Sequence, residues 1–501
     1  MRASALGLLI VILFNIATFA QNNPASQIAR QWRQQHERSI IDEFAALLSI
    51  PNVSQDRENI QRNADFIVRM METRGIAARQ VTVPNASPIV FGEIRTAGAV
   101  RTLMFYAHYD GQPVTPAQWS APPFSPTLRR DGTTIPHPPA GQPFDPESRL
   151  YARGAGDDKA PIVALMVALD AIRASSIRLK SNVKFVFEGE EEAGSRNLAR
   201  ILSANKDLFS GDIWFFCDTP VHPSRRQQIV FGSPGFGRVD VTVYGPRVEL
   251  HGGHYGNWAP NPALMLSRLL ASMKDDKGKI LIANYYDGIV PLSQAEKRAI
   301  AESPDMDAQL MEDFGLGSRV GAPMKIAELV TLPVLNIRGM ASAGVGAESS
   351  SIVPSTALAS MNLTFVKGME FGKTVELIKE HIRAQGFFVV DAEPTLAVRR
   401  SHEKVAMVTA SGGAYGGPRT PMDLPLSQEV MRVVDSVRGG AVKLPMMGGA
   451  VPLEVIERAL GTRVIVMPIA NHDNNQHSFD ENLRIQNLWD GIELMAALLA
   501  M

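Results

Sequence analysis

The sequence predicts an α/β chain built on a mainly parallel sheet, with a smaller α+β domain inserted into it. Three observations carry that expectation. From residue 151 to 216, apolar strand-like runs alternate with segments of helical spacing. Near Phe236 the pattern changes to half-exposed alternation, Arg238-Val-Asp-Val-Thr-Val-Tyr244. The strand and helix alternation then resumes after about residue 399. At 501 residues the chain is also too long for one ordinary core. The expected division is a leader at 1–20, a main domain at 21–237 and 399–501, and an insert at 238–398.

Taken in order, Arg2 precedes an apolar run from Ala5 to Ala20, closed by the small-residue site Thr18-Phe-Ala20. This reads as a cleaved secretory signal, since the run is short for a bilayer span, and it places the mature chain in a periplasm or outside the cell. Helices are expected at 26–49, ended by Pro51, and at 57–74, ended by Gly75. Strands follow at 79–83, 88–94 and 102–106. The interval 111–150 is rich in proline and glycine and reads as an ordered surface loop near a site. A helix at 159–174, a strand at 183–187, a helix at 196–205 and a strand at 212–216 complete the first half. In the insert the candidates are strands at 238–244, 356–366 and 387–391, with helices at 261–274 and 374–384. Helices at 426–438 and 451–460, a strand at 463–467 and a helix at 480–499 close the chain.

Hydrophobic content of 45%, charge content of 20% and a net charge of -1 describe a globular interior and give no electrostatic case for nucleic acid or an anionic membrane. Cys217 is the only cysteine, so any metal site must use histidine and carboxylate. The ends of the predicted strands supply such groups. Adjacent carboxylates at Glu190, Glu191 and Glu192 follow the strand at 183–187, and they repel one another unless water or a cation screens them. His108 follows the strand at 102–106, with Asp110 two residues on to orient its imidazole. Asp157 and Asp158 lie in a glycine-rich turn leading into a helix, where either also reads as a simple N-cap. Asp218 follows the strand at 212–216. His477 lies in the loop before the last helix, where His472 competes for the same role. His108, Asp157, one glutamate of the run, Asp218 and His477 together suit a pair of divalent ions with Asp157 shared. The mixture favours zinc, and cobalt or manganese also fits.

These stretches carry a specific resemblance. His108-Tyr-Asp110, Arg153-Gly-Ala-Gly-Asp157-Asp158-Lys, Glu188-Gly-Glu-Glu-Glu192-Ala-Gly-Ser195, Asp218, Leu250-His251-Gly-Gly and His477-Ser with Glu481-Asn resemble, in order, the dinuclear zinc peptidase family of carnosinase, aminoacylase, succinyl-diaminopimelate desuccinylase and carboxypeptidase G. The long loop with Trp119-Ser-Ala-Pro-Pro-Phe124 is most similar to the carnosinase-like branch. The resemblance implies a zinc-peptidase catalytic domain with an inserted lid and dimerisation domain, two zinc ions per chain, and a homodimer. It implies that Glu191 is the general base and Glu192 a ligand. One ion would take His108, Asp157 and Asp218, and the other Asp157, Glu192 and His477. Asp110 would orient His108, the Asp157 to Asp158 peptide would be cis, and His251 would donate to the oxyanion from the partner subunit, with His254 nearby as a competitor.

The expected chemistry is hydrolysis of an amide in a small peptide or N-acyl amino acid. A water of lowered pKa loses its proton to Glu191, which later passes it to the departing amine. The same apparatus would serve an ester, and a non-catalytic binding protein on the same fold is the reading of another class. Two departures bear on substrate. Thr364 stands where the family has an arginine, and Gly448-Gly449-Ala450 stands for its Gly-Gly-Ser. Both positions hold the substrate carboxylate in the family, so dipeptide recognition through a free C-terminus is in question.

Overall fold

The computed structural model describes residues 23–412 and 416–501. The expected leader at 1–20 lies outside the described residues. Among the described residues no helix is long and apolar enough to cross a membrane.

The main sheet has eight strands in the order Ala77–Val81, Ile89–Ile94, Asn182–Glu188, Thr102–His108, Ile213–Phe216, Arg463–Val466, Gln228–Val230, Val442–Leu444. Its centre is parallel: Thr102–His108 pairs in parallel with both Asn182–Glu188 and Ile213–Phe216, and Ile213–Phe216 with Arg463–Val466. Such strands are apolar on both sides because helices cover both faces. Leu103, Phe105 and Ala107 face one core with helices Pro24–Leu48, Lys159–Arg173 and Ile485–Leu499, while Met104 and Tyr106 face the other with Leu198–Ala204 and Leu453–Leu460. The helix Lys159–Arg173 is apolar on nearly every side and is buried along almost its whole length. The parallel strands end together at His108, Glu188 and Phe216, so the segments that follow them gather at one edge.

The second sheet has five strands in the order Val334–Ala341, Thr356–Phe365, Gly235–Tyr244, Val405–Gly412, Phe388–Val390. Val239, Val241 and Val243 alternate with Arg238, Asp240 and Thr242. The valines meet Ala357, Ala359 and Met361 in a core closed by helices Pro262–Met273 and Phe371–Ala384. The opposite face is open, with Phe236, Arg238 and Leu358 exposed.

Three details differ from expectation. The strand Val405–Gly412 pairs along Gly235–Tyr244, so the smaller sheet extends past residue 398. The helix Gln294–Glu302, within the expected insert, packs on Val442–Leu444 of the main sheet and is held by a buried 2.7 Å ion pair between Glu296 and Arg419. The proline-rich interval 111–150 is more than a loop. Thr127–Arg130, Thr133–Thr134 and Arg149–Tyr151 form a four-stranded antiparallel sheet with Asn482–Arg484, anchored by buried Leu128, Phe144 and Leu150.

Candidate metal centre

His108 is the last residue of its strand and is fully buried. Its Nδ1–H donates to the Asp110 carbonyl oxygen at 3.1 Å, with Asp110 Oδ1 at 3.4 Å, which turns Nε2 to within 3.0 Å of Asp157 Oδ1. The other oxygen of Asp157 lies 3.1 Å from His477 Nε2, and His477 in turn is 3.2 Å from Glu192 Oε2. One carboxylate therefore faces both histidines, one through each oxygen. Asp218 Oδ2 is 3.9 Å from His108 Nε2. The donor atoms form two groups, His108 with Asp158 and Asp218, and Asp157 with Glu192 and His477, each within 4.8 Å. His472, the competing histidine, is exposed and outside both groups.

The turns that carry these groups are fixed by main-chain hydrogen bonds to two fully buried carboxylates. Asp110 accepts the Glu191 amide on Oδ1 and the Glu192 amide on Oδ2, both at 3.0 Å. Glu481 accepts the amides of Gly156 and Asp157 on one oxygen at 2.9 Å, and that of Gly154 on the other at 3.1 Å. Arg153 donates to Glu481 at 2.7 Å and to the Ser478 carbonyl at 2.9 Å, tying the glycine turn to the loop of His477. Its guanidinium lies over the Trp119 ring at 5.1 Å. The Asp157–Asp158 peptide is cis. Gly154, at φ +83, adopts a left-handed conformation that a side chain would resist, and a Cβ there would meet Asn52.

Some roles were not legible in the sequence. Asp158 occupies the N-cap position of its helix without capping it; its carboxylate accepts the His108 amide at 3.2 Å. Glu190 is buried and accepts from the Asn197 amide at 2.7 Å and the Ser87 amide at 3.2 Å, so it braces the acidic turn from behind. Gln112 donates to Glu192 Oε2 at 2.7 Å. His251 is exposed on the second domain. Its Nδ1 accepts the amides of Gly253 and His254 at 3.1 and 3.3 Å, which places the proton of the neutral ring on Nε2. Among the described residues it makes no hydrogen bond or ion pair with the cluster.

The electrostatics fit a cation site. Burial and the Asp157 charge push Asp218 up to about 7. Burial, reinforced by Asp218 and Glu192, raises Glu191 well above the usual carboxylate range, and the His108 charge opposes this. For Asp157, burial favours the neutral acid, yet hydrogen bonds from His108 and His477 hold it below the ordinary range. Hydrogen bonds to Asp157 and Glu192 raise His477 to about 10. For His108, burial opposes the cation, but hydrogen bonds to Asp110 and Asp157 raise it well above the usual imidazole range. The two imidazole protons aimed at Asp157 thus stand in for positive charge that the carboxylates require. Two imidazoles and several carboxylates with no thiolate form a donor set suited to divalent metals.

The sequence profile described as Peptidase family M20/M25/M40 matches residues 104–501. The Cys-Gly metallodipeptidase dug1 of Schizosaccharomyces pombe is 26% identical over 481 residues, covering 90% of this chain and 94% of that protein. The Beta-Ala-His dipeptidase of Mus musculus is 25% identical, covering 82% of this chain and 79% of its own. Among solved structures, the M20 family metallo-carboxypeptidase Sso-CP2 of Sulfolobus solfataricus superposes with a TM-score of 0.75 at 25% identity, covering 92% of this chain and 98% of that one. Human carnosine dipeptidase 1 gives a TM-score of 0.70 at 21% identity, covering 95% of this chain and 99% of that one.

Proposed function

Because the chain belongs to peptidase family M20/M25/M40, and so is a metallopeptidase, we propose that it hydrolyses the amide bond of dipeptides and similar small substrates at the centre formed by His108, Asp157, Glu192, Asp218 and His477. The observation that carries this is Asp157, whose two oxygens face His108 and His477, beside a glutamate turn held by Asp110. His108, Asp157 and Asp218 would hold one ion, and Asp157, Glu192 and His477 the other. Bound there, two divalent cations, zinc by donor set with cobalt or manganese also fitting, supply a polarised substrate carbonyl and a water of lowered pKa.

The chain's own groups do the rest. A carboxylate oxygen of Glu191 accepts the proton of the attacking water and delivers it to the departing nitrogen. Its raised affinity for a proton suits it to hold one between those two events. Asp110 keeps Nδ1 of His108 protonated and Nε2 turned inward. His251, with its Nε2–H free, would donate to the developing oxyanion in a homodimer, from the partner subunit.

Replacing Glu191 by Gln should leave about two ions per chain by elemental analysis and lower turnover by about 10²–10⁴-fold. Active metal-free protein, or an unchanged rate in Glu191→Gln, would sink the assignment.

Substrate range extends the proposal to N-acyl amino acids and other small amides. Thr364 Oγ1 accepts the Val334 amide at 3.1 Å, and Gly448–Ala450 is exposed. Neither position offers a cation for a carboxylate. Comparing dipeptides, amidated dipeptides and N-acyl amino acids tests this: inert N-acyl amino acids would overturn the first extension, and an absolute need for a free C-terminal carboxylate would overturn the extension to amides that lack one. The Ala5–Ala20 run supports export to a periplasm or the cell exterior. Mature protein beginning at Gln21 is the expected result of N-terminal sequencing.

A further inference from the structure

The segment Asn52–Ser54 lies before the stretch matched by the family profile and far in sequence from every proposed ligand. It leaves the first helix, Pro24–Leu48, and runs beneath the His108 to Gly111 turn. Asn52 donates from Nδ2 to the Tyr109 carbonyl at 3.0 Å, and its own carbonyl accepts the Gly111 amide at 2.7 Å. The Ser54 amide donates to the Gly111 carbonyl at 3.3 Å. Ser54 Oγ donates to Asp110 Oδ2 at 2.8 Å, with the Gly111 carbonyl a longer alternative at 3.3 Å. Asn52, Ser54 and Asp110 are all buried, so no water stands ready to replace a lost donor.

Asp110 links two parts of the centre. Its carbonyl and Oδ1 face His108, while its two carboxylate oxygens receive the amides of Glu191 and Glu192. Among the described residues Oδ2 has two donors, the Glu192 amide and the Ser54 hydroxyl. Without the hydroxyl, the Glu192 amide alone holds that oxygen and the Glu191 amide the other, so the carboxylate loses one of the donors that fix its rotation about the Cβ–Cγ bond. Rotation would move the acidic turn relative to His108.

We infer that Ser54 is a positioning residue: through Asp110 it sets where the Glu191–Glu192 turn stands relative to the His108 imidazole. This rests on the roles proposed above for Glu191 and Glu192. In the metal-loaded enzyme Ser54→Ala should lower kcat by about tenfold with KM and metal content little changed, and Ser54→Thr, which restores a hydroxyl, should recover most of the loss. In metal-free protein, hydrogen exchange of the peptide spanning 188–196 should quicken in Ser54→Ala while the melting midpoint holds.

Unchanged exchange, unchanged kcat, or a Ser54→Thr variant as slow as Ser54→Ala would each overturn the inference. So would a large fall in melting midpoint, which would make Ser54 a contact of the fold alone. If Glu191→Gln hydrolyses normally, the functional reading fails, and the exchange measurement still decides whether Ser54 holds the turn.

Discussion

The two halves of the centre are held by different physics. His108, Glu191, Glu192 and Asp218 come from strand ends of the main sheet. His477 comes from a loop whose residues Asn475, His477 and Asp480 all have positive φ. The His108 side chain is 1% exposed and that of His477 is 54% exposed. Each half has a buried carboxylate that gathers main-chain amides, but the compensation differs. Asp110 is balanced by neutral donors and by His108 itself, so its charge belongs to the site. Glu481 is neutralised by Arg153, and a second pair, Arg149 with Asp473, ties down the start of the same loop. Strand ends of the main sheet place the first half; the second is held by ion pairs beside the short sheet that Asn482–Arg484 joins.

That contrast can be broken. The largest effect is expected from Arg153→Leu, which leaves Glu481 buried without its partner. Unfolding free energy measured by denaturant should fall by about 3–5 kcal/mol. An unchanged midpoint would mean that ion pairing does not hold the outer half. Next is Asp110→Asn, which presents an amide donor to main-chain donors. It should cost about 10–100-fold in turnover with the fold intact, and a purely structural loss would erase the distinction drawn between Asp110 and Glu481.

A smaller effect concerns protons. With His477 raised to about 10, the metal-free fold is stabilised by that imidazolium below about 6.5 and loses the contribution as pH rises through about 10. A neutral ring is needed to bind metal, so loading at pH 7 should release protons and weaken as pH falls. Calorimetry in buffers of different ionisation enthalpy measures the release, and its absence would contradict the ion pairs at both histidines. The smallest effect is expected from His472→Ala, within about 0.5 kcal/mol in stability and without change in metal content.

What the sequence disclosed follows the same division. Apolar runs ending in a ligand-type residue announced His108, Asp218 and the acidic run, because a buried parallel strand leaves a strong local signal. The family expectation drawn from the motifs holds across residues 104–501. Spacing could not separate His477 from His472, since the choice depends on a turn with positive φ and on partners distant in the chain. Three-residue strands such as Gln228–Val230 and Val442–Leu444 are too short to show a period. The strand Val405–Gly412 is rich in small residues and exposed over its second half, so the reach of the smaller sheet past 398 was hidden. Nothing marked Ser54, and nothing set Glu190 apart from the two glutamates after it, because a brace is defined by what it touches across the fold.

The placement of Arg463–Val466 sets an order of events in time. This strand leaves the ribosome after the other seven strands of the main sheet, yet it sits inside that sheet between Ile213–Phe216 and Gln228–Val230. Until it arrives, the sheet has a gap between its fifth and seventh strands, and the helix Ile485–Leu499, which packs on the helix Pro24–Leu48, is missing as well. The five strands of the smaller sheet are continuous in sequence from 235 to 412 and need no later residue to pair. The smaller domain is therefore positioned to fold first, while the catalytic sheet waits with open edges for its closing strand. A nascent chain halted before residue 463 would carry a finished smaller domain on an unfinished enzyme.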